Sequence, residues 1–250
     1  MRRDQVLALR WLALAGVLGC RGKKRLLSWL LFDALRLYPT LLRNCDWHGK
    51  VVRRFETPRR EVWLTIDDGP DAHDTPTMLD LLRSHQAKAD FFVVGRRAQQ
   101  WPQWIHRIVE EGHGLGNHTY DHPVGSWWTL PPFMVAAQIQ KGNAVLESLT
   151  GKLPRFFRSP VGMTPASVHP ELKKHRQILV GWSLNIRHPL DQDFLKRKFE
   201  EQIFPGAILL MHEGGGGGQR LRVMEQVLLQ LTRMGYRCVR PSVDQLRFDR

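Results

Sequence analysis

Two adjacent carboxylates close an apolar run in Thr65-Ile66-Asp67-Asp68-Gly69-Pro70. Adjacent side chains on an extended chain point to opposite sides, so one can bind a cation while the other addresses a water beside it. An ordinary acidic turn would use the same residue types, because Asp, Gly and Pro all favour turns. Further on, Asn117-His118-Thr119-Tyr120-Asp121-His122-Pro123 sets two imidazoles four residues apart. That spacing predicts both on one face of a helical turn and suits zinc. With 11 histidines in 250 residues the spacing alone says little; its weight comes from Asp68. Two nitrogens and one oxygen leave a coordination position open for water, which is the arrangement of a catalytic rather than a structural site.

Two further residues could join them. His212 ends the apolar run Ala207-Ile208-Leu209-Leu210-Met211, where a lone histidine is more often a hydrogen-bonded structural residue. Arg158 follows Phe156 and Phe157; a surface cation is the default, but a buried arginine needs a carboxylate partner, and Asp67 is a candidate. Three widely spaced cysteines, Cys20, Cys45 and Cys238, form neither a disulfide framework nor a thiolate zinc site. Any metal must therefore be held by nitrogen and oxygen.

The elements that would position these groups alternate. Strands are expected over residues 61–66, 89–94, 155–158, 178–182, 207–211 and 236–239, with an extended piece leading to Asn117. Helices are expected over about 75–85, where Thr75 would cap and Pro76 would take the first helical position, over 103–111, over 132–149, after Asp191, and through Leu221, Met224, Leu228 and Leu231. Alternating strands and helices with apolar strands imply a parallel sheet covered by helices, and about seven such units imply an α/β fold closing into a distorted (β/α) barrel. The candidate residues all fall at C-terminal strand ends, where barrel active sites lie. The five glycines Gly214 to Gly218 predict a mobile loop.

One domain suffices for 250 residues. Residues 1–50 read as an apolar and basic helical extension and residues 51–250 as the catalytic domain. The run from Trp11 to Cys20 is short for a spanning helix, and its small-residue pattern makes a poor signal-peptide cleavage site. The basic cluster Arg21, Lys23, Lys24 and Arg25 separates it from a second apolar stretch, Leu26 to Leu42. Through residues 1–42 the chain could lie on an anionic membrane face, or the same segments could pack on the catalytic domain as ordinary amphipathic helices. A net charge of +13 from 37 Lys and Arg against 24 Asp and Glu favours anionic surroundings. The bases are not interleaved with stacking aromatics, so nucleic acid is not an expected partner. A cell-envelope or membrane-associated location is favoured, with a cytoplasmic one open.

Taken together, the motifs resemble the polysaccharide deacetylase family, the NodB homology domain of carbohydrate esterase family 4, from about residue 55 to the end. Thr65 to Pro70 matches its first motif, which implies Asp67 as catalytic base and Asp68 as metal ligand. His118 and His122 match its His-Ser/Thr-x-x-His motif and complete the ligand set. Arg158-Ser159-Pro160-Val161-Gly162 is similar to the third motif, implying that Arg158 orients the base and that the Val161 amide helps hold the oxyanion. Leu210-Met211-His212 is similar to the last, implying Leu210 in the acetyl pocket and His212 as general acid, with Trp182 among the residues facing the substrate. Two positions depart from the pattern: Val161 replaces a usual tyrosine, and His188-Pro189 stands where Asp-Trp is usual. The missing aspartate would tune the catalytic histidine, so Asp191 or Asp193 must take that role or general-acid catalysis weakens.

The resemblance implies a hydrolase that uses a divalent ion, zinc foremost with cobalt or manganese open, to remove acetyl groups, N-acetyl before O-acetyl, from an acetylated sugar or polysaccharide. Two other readings accommodate the residues: a non-catalytic glycan- or membrane-binding protein of the same fold, for which His188 is the main support, and a metal-dependent phosphoesterase.

Overall fold

The computed structural model describes residues 3–19, 21–186, 192–215 and 217–248. Two helices open it, α1 (Arg3–Gly19) and α2 (Lys23–Leu41). The chain continues through β1 (Val52–Phe55), β2 (Glu61–Asp67), α3 (Asp74–Ser84), β3 (Ala89–Val93), α4 (Gly95–Gln100), α5 (Pro102–Glu110), β4 (Gly114–Asn117) and α6 (Pro132–Thr150). It is completed by β5 (Phe156–Phe157), α7 (Val168–Lys174), β6 (Ile178–Leu179), β7 (Leu184–Asn185), α8 (Gln192–Gln202), β8 (Ile208–His212), α9 (Gln219–Arg233), β9 (Arg237–Cys238) and β10 (Leu246–Phe248).

Seven parallel strands run in the order β6-β5-β4-β3-β2-β8-β7, and β9 pairs with the start of β2. β1 lies in the seam between the two ends of this curled sheet: Val52 bridges Val180 and Arg54 bridges Ala207, while β10 pairs with β1 antiparallel. The result is the expected distorted barrel.

The strand period decides which side chains face the centre. Along β2, Val62, Leu64 and Ile66 pack under the helices with Met78, Leu82, Ile105 and Leu228, whereas Trp63 joins Phe92, Val180, Ile208 and Leu210 in a separate inner cluster. The inward phase continues through Thr65 to Asp67 on β2 and through Leu210 to His212 on β8. Because Asp67 and His212 pair in register, the two polar ends emerge side by side at the mouth.

Several expected elements changed. Thr75 does not cap α3, which begins at Asp74; its hydroxyl accepts the Asp71 N–H at 2.7 Å and donates to the Glu213 carboxyl. The strand expected over 178–182 stops at Leu179, because the Gly181 N–H is given to the Val52 carbonyl at 2.8 Å. β1, β7, β10, α4 and α7 were not expected. The described glycines Gly214, Gly215, Gly217 and Gly218 all take positive φ.

α1 and α2 pair with each other. Their small core, Ala13 and Leu35 with Phe32, Tyr38 and Trp47 packed on it, is distinct from the barrel clusters. Gly16 permits this approach, since a Cβ there would lie 2.4 Å from Ser28 Oγ. Among the described residues, no helix is long and apolar enough to cross a membrane.

Candidate active site

Beneath the mouth, behind Asp67, Arg158 is 1% exposed and fully engaged. Its Nη1 donates to Asp67 Oδ1 at 2.7 Å and to Thr65 Oγ1 at 2.8 Å; Nε and Nη2 donate to the carbonyls of Val180 and Gly181 at 3.1 and 2.8 Å. The guanidinium also stacks 4.1 Å from the Phe92 ring centroid. A buried arginine thus meets the carboxylate its burial demands, with its fork held on several sides. Burial holds the Asp67 carboxyl above its ordinary range, against the opposing pull of Arg158 and His212, which strengthens it as a proton acceptor.

Asp68, His118 and His122 converge beside it, with one ligand atom from each lying within 4.8 Å of the others. His122 Nε2 stands 3.4 Å and His118 Nε2 3.6 Å from Asp68 Oδ1. Both Asp68 Oδ1 and His122 Nε2 are buried without a hydrogen-bond partner, and a cation held between them would satisfy both atoms. His118 Nδ1 lies 2.8 Å from the Arg158 carbonyl, so the N–H goes to that oxygen and Nε2 keeps its lone pair. Burial lowers both imidazoles to about 4. Burial would raise Asp68, but His118, His122, His212 and Arg220 outweigh it and hold its carboxyl low. Neutral imidazoles and an ionised carboxylate are the states a metal needs.

The histidines do not share a helical turn, as the spacing predicted. They occupy the loop after β4, folded back by positive φ at Thr119 (69°) and His122 (53°). Buried Asn117 shapes it: its Oδ1 accepts the Thr119 N–H at 2.8 Å, and its Nδ2 donates to Ile139 O and Asn143 Oδ1 on α6 at 2.9 and 2.7 Å. Gln138 Oε1 then receives the N–H groups of Tyr120 and Asp121 at 3.1 and 2.9 Å. Asp68 and Val161 also take positive φ, 78° and 50°. Strain of this kind at non-glycine residues collects at functional sites.

Asp67, Asp68, His118, His122, Val161, Trp182, Leu210 and His212 all line one cleft of about 470 Å³. Only Arg158 among the expected site residues does not line it; it lies behind Asp67. Of the departing fourth motif, His188, Pro189 and Asp191 lie outside the described residues, while Asp193 is exposed on the first turn of α8.

Four positions escaped the sequence reading. Thr65, a polar residue in phase with Asp67, donates to Leu209 O at 2.7 Å as well as accepting from Arg158. Arg97 Nη1 donates to the Asp68 carbonyl at 2.6 Å. Arg220, on the cleft wall, reaches 4.0 Å from Asp68 Oδ2 and donates to the Glu213 carbonyl. Glu213 itself is wholly buried beneath the Asp68-Gly69-Pro70 turn, where a Cβ on Gly69 would lie 1.6 Å from its Oε1. Burial, with Asp71 and Asp74 nearby, pushes it up to about 8. Among these only Thr65 had a signal in the sequence, its strand phase.

The polysaccharide deacetylase family model matches residues 54–177. A peptidoglycan-N-acetylglucosamine deacetylase of Bacillus cereus is 33% identical over 212 residues, covering 82% of this chain and 76% of that protein. The chain belongs to the polysaccharide deacetylase family. A chitooligosaccharide deacetylase of a Bradyrhizobium species is 35% identical over 163 residues, 64% of this chain and 74% of its own. The crystal structure of a peptidoglycan N-acetylglucosamine deacetylase superposes with a TM-score of 0.67 at 31% identity, covering 75% of this chain and 88% of the other.

As a polysaccharide deacetylase the protein is a metal-dependent hydrolase that removes acetyl groups from sugars. The non-catalytic and phosphoesterase readings are not favoured. A member of this family needs a metal, and the donor set Asp68, His118 and His122 fits one.

Proposed function

We propose that this polysaccharide deacetylase removes the N-acetyl group from N-acetylglucosamine units of an envelope glycan, with zinc as its metal. The relatives named for peptidoglycan N-acetylglucosamine and chitooligosaccharides support that substrate. Two imidazoles and one carboxylate suit zinc, with cobalt and manganese as alternatives. The observation that carries the reading is the buried, unpartnered pair of Asp68 Oδ1 and His122 Nε2 beside an arginine-held Asp67. Bound there, a zinc-class ion supplies the Lewis acid that polarises the amide carbonyl and makes a water acidic near neutral pH.

The chain's own groups do the rest. Asp67, with Oδ1 fixed by Arg158, takes the proton of the attacking water on Oδ2. Because Arg158 is held on four acceptors, that acceptor is set before substrate arrives. The Val161 N–H donates to the oxygen on which charge develops, a contribution worth about 3 kcal/mol in comparable sites. This needs only backbone, so the absence of a tyrosine side chain does not remove it. His212 returns a proton to the departing amine, and Leu210 and Trp182 wall the methyl group.

Acetate release should be followed with zinc-loaded protein on N-acetylated chitooligosaccharides, peptidoglycan fragments and an O-acetylated xylan. Release from the N-acetyl substrates is expected. Release from the O-acetyl ester alone would overturn the assignment.

A further inference from the structure

The helical hairpin has an apolar surface that nothing in the fold covers. Leu7, Leu9, Trp11, Leu12 and Leu18 on α1 are exposed, and so are Leu26, Leu27, Trp29, Leu30 and Leu31 on α2; Trp11 is 70% exposed and Leu27 69%. Leu7, Trp11 and Leu18 recur at helical spacing on one side, as do Leu27, Leu30 and Leu31. The inner sides are already used: Ala13 and Leu35 pack on each other's helices, and the Arg10 guanidinium sits 5.8 Å from the Phe32 ring centroid. The exposed leucines and tryptophans are therefore a second, outer surface. Soluble proteins seldom leave such a patch bare unless it meets a partner.

Charge selects the partner. The turn between the helices presents Arg21, Lys23, Lys24 and Arg25, all exposed, and Arg43 follows α2. Between residues 7 and 43 no acidic side chain is exposed; Asp33 is half-buried. Among the described side chains of residues 7–43, a second copy stacked on this face would bring two cationic turns together with only the half-buried Asp33 as an acidic counterpart. An anionic phospholipid surface supplies the apolar layer and the negative charge together. Neither helix is long and apolar enough to span it, so the hairpin would lie along the interface.

The hairpin is also fastened at the catalytic mouth. Just beyond α2, the Asn44 N–H donates to the Gly162 carbonyl at 3.0 Å and its Nδ2 donates to the Trp182 carbonyl at 3.2 Å. Gly162 and Trp182 both line the active cleft. We propose that residues 3–43 form an interfacial anchor that docks on anionic bilayers through the outer leucine and tryptophan face and the Arg21–Arg25 turn, holding the cleft close to the headgroup layer.

The test is co-sedimentation of the full chain with vesicles of phosphatidylcholine alone or mixed with phosphatidylglycerol. Partitioning at least tenfold stronger onto the anionic vesicles is expected, weakening as salt rises. The variant R21Q/K23Q/K24Q/R25Q should lose at least tenfold on anionic vesicles, and L12D/L30D should lose binding to both compositions. Unchanged thermal unfolding of the barrel in both variants separates lost docking from lost folding. Tryptophan emission should shift to the blue on vesicle addition, and W11F/W29F should reduce the shift while still sedimenting. Equal partitioning with and without phosphatidylglycerol, indifference to the quadruple variant, or a salt-resistant dimer that ignores vesicles would each overturn the proposal.

Discussion

At the residue scale, the site depends on buried polar groups whose partners are other buried polar groups. Asp67→Asn keeps the shape but cannot accept a proton, so acetate release should fall about 10²- to 10⁴-fold while bound metal, measured by elemental analysis, stays stoichiometric. Parental turnover in that variant would remove Asp67 from the reaction. Glu213 gives a second test. Its proton is retained to about pH 8 in the fold, against about 4.5 when unfolded. Between those values the folded state holds the extra proton, so stability falls as pH rises through the window and levels off above it. Relative to Glu213→Gln, which has no proton to lose, the parent should lose on the order of 5 kcal/mol from pH 4.5 to 8 in denaturant titrations. A constant difference between the two proteins would show that Glu213 is not held neutral. Val161, with φ of 50°, should gain about 1 kcal/mol on replacement by glycine, and activity should survive because the amide remains. Loss of turnover in a stable Val161→Gly protein would assign the role to the side chain instead.

At the scale of elements, the positions of Asp67 and His212 were legible because each follows an apolar strand, whose C-terminal end opens at the mouth, whereas Leu210 entered only through the family motif. The pairing of Arg158 with Asp67 was legible for a related reason, since a cation after two phenylalanines must be neutralised. What hid was non-local. β1 and β10 meet across almost the whole chain, and β7 is two residues long, too short for periodicity to show. The histidine pair was found by spacing, but the conformation that unites it was misread. The loop is set by Asn117 and Gln138 reaching helix α6 and the loop backbone, contacts that spacing does not encode. Asn117→Ala strips partners from Thr119 N and Ile139 O in a buried place, so a stability loss of about 2–3 kcal/mol is expected in thermal or denaturant unfolding. Displaced imidazoles should also weaken metal affinity about 10–100-fold. Unaltered affinity would mean that the loop holds its shape without that network.

At the scale of the molecule, hairpin and barrel have separate cores, and residues 44–49 bridge them, Asn44 on Gly162 and Gly49 against His169 on the barrel side and Trp47 on the hairpin core. A chain of residues 44–250 should therefore unfold cooperatively within a few degrees of the full protein, as calorimetry would show. Collapse of the shortened chain would mean that the hairpin is structural to the barrel.

The central claim is that Asp68, His118 and His122 hold a divalent ion without which no acetyl group leaves. The most direct measurement is acetate release from an N-acetylglucosamine oligomer before chelation, after it, and after adding zinc back, in the parent and in His118→Ala. The account predicts loss on chelation, recovery with zinc in the parent, and no recovery in the variant. Acetate release that continues undiminished in the metal-free parent would contradict it.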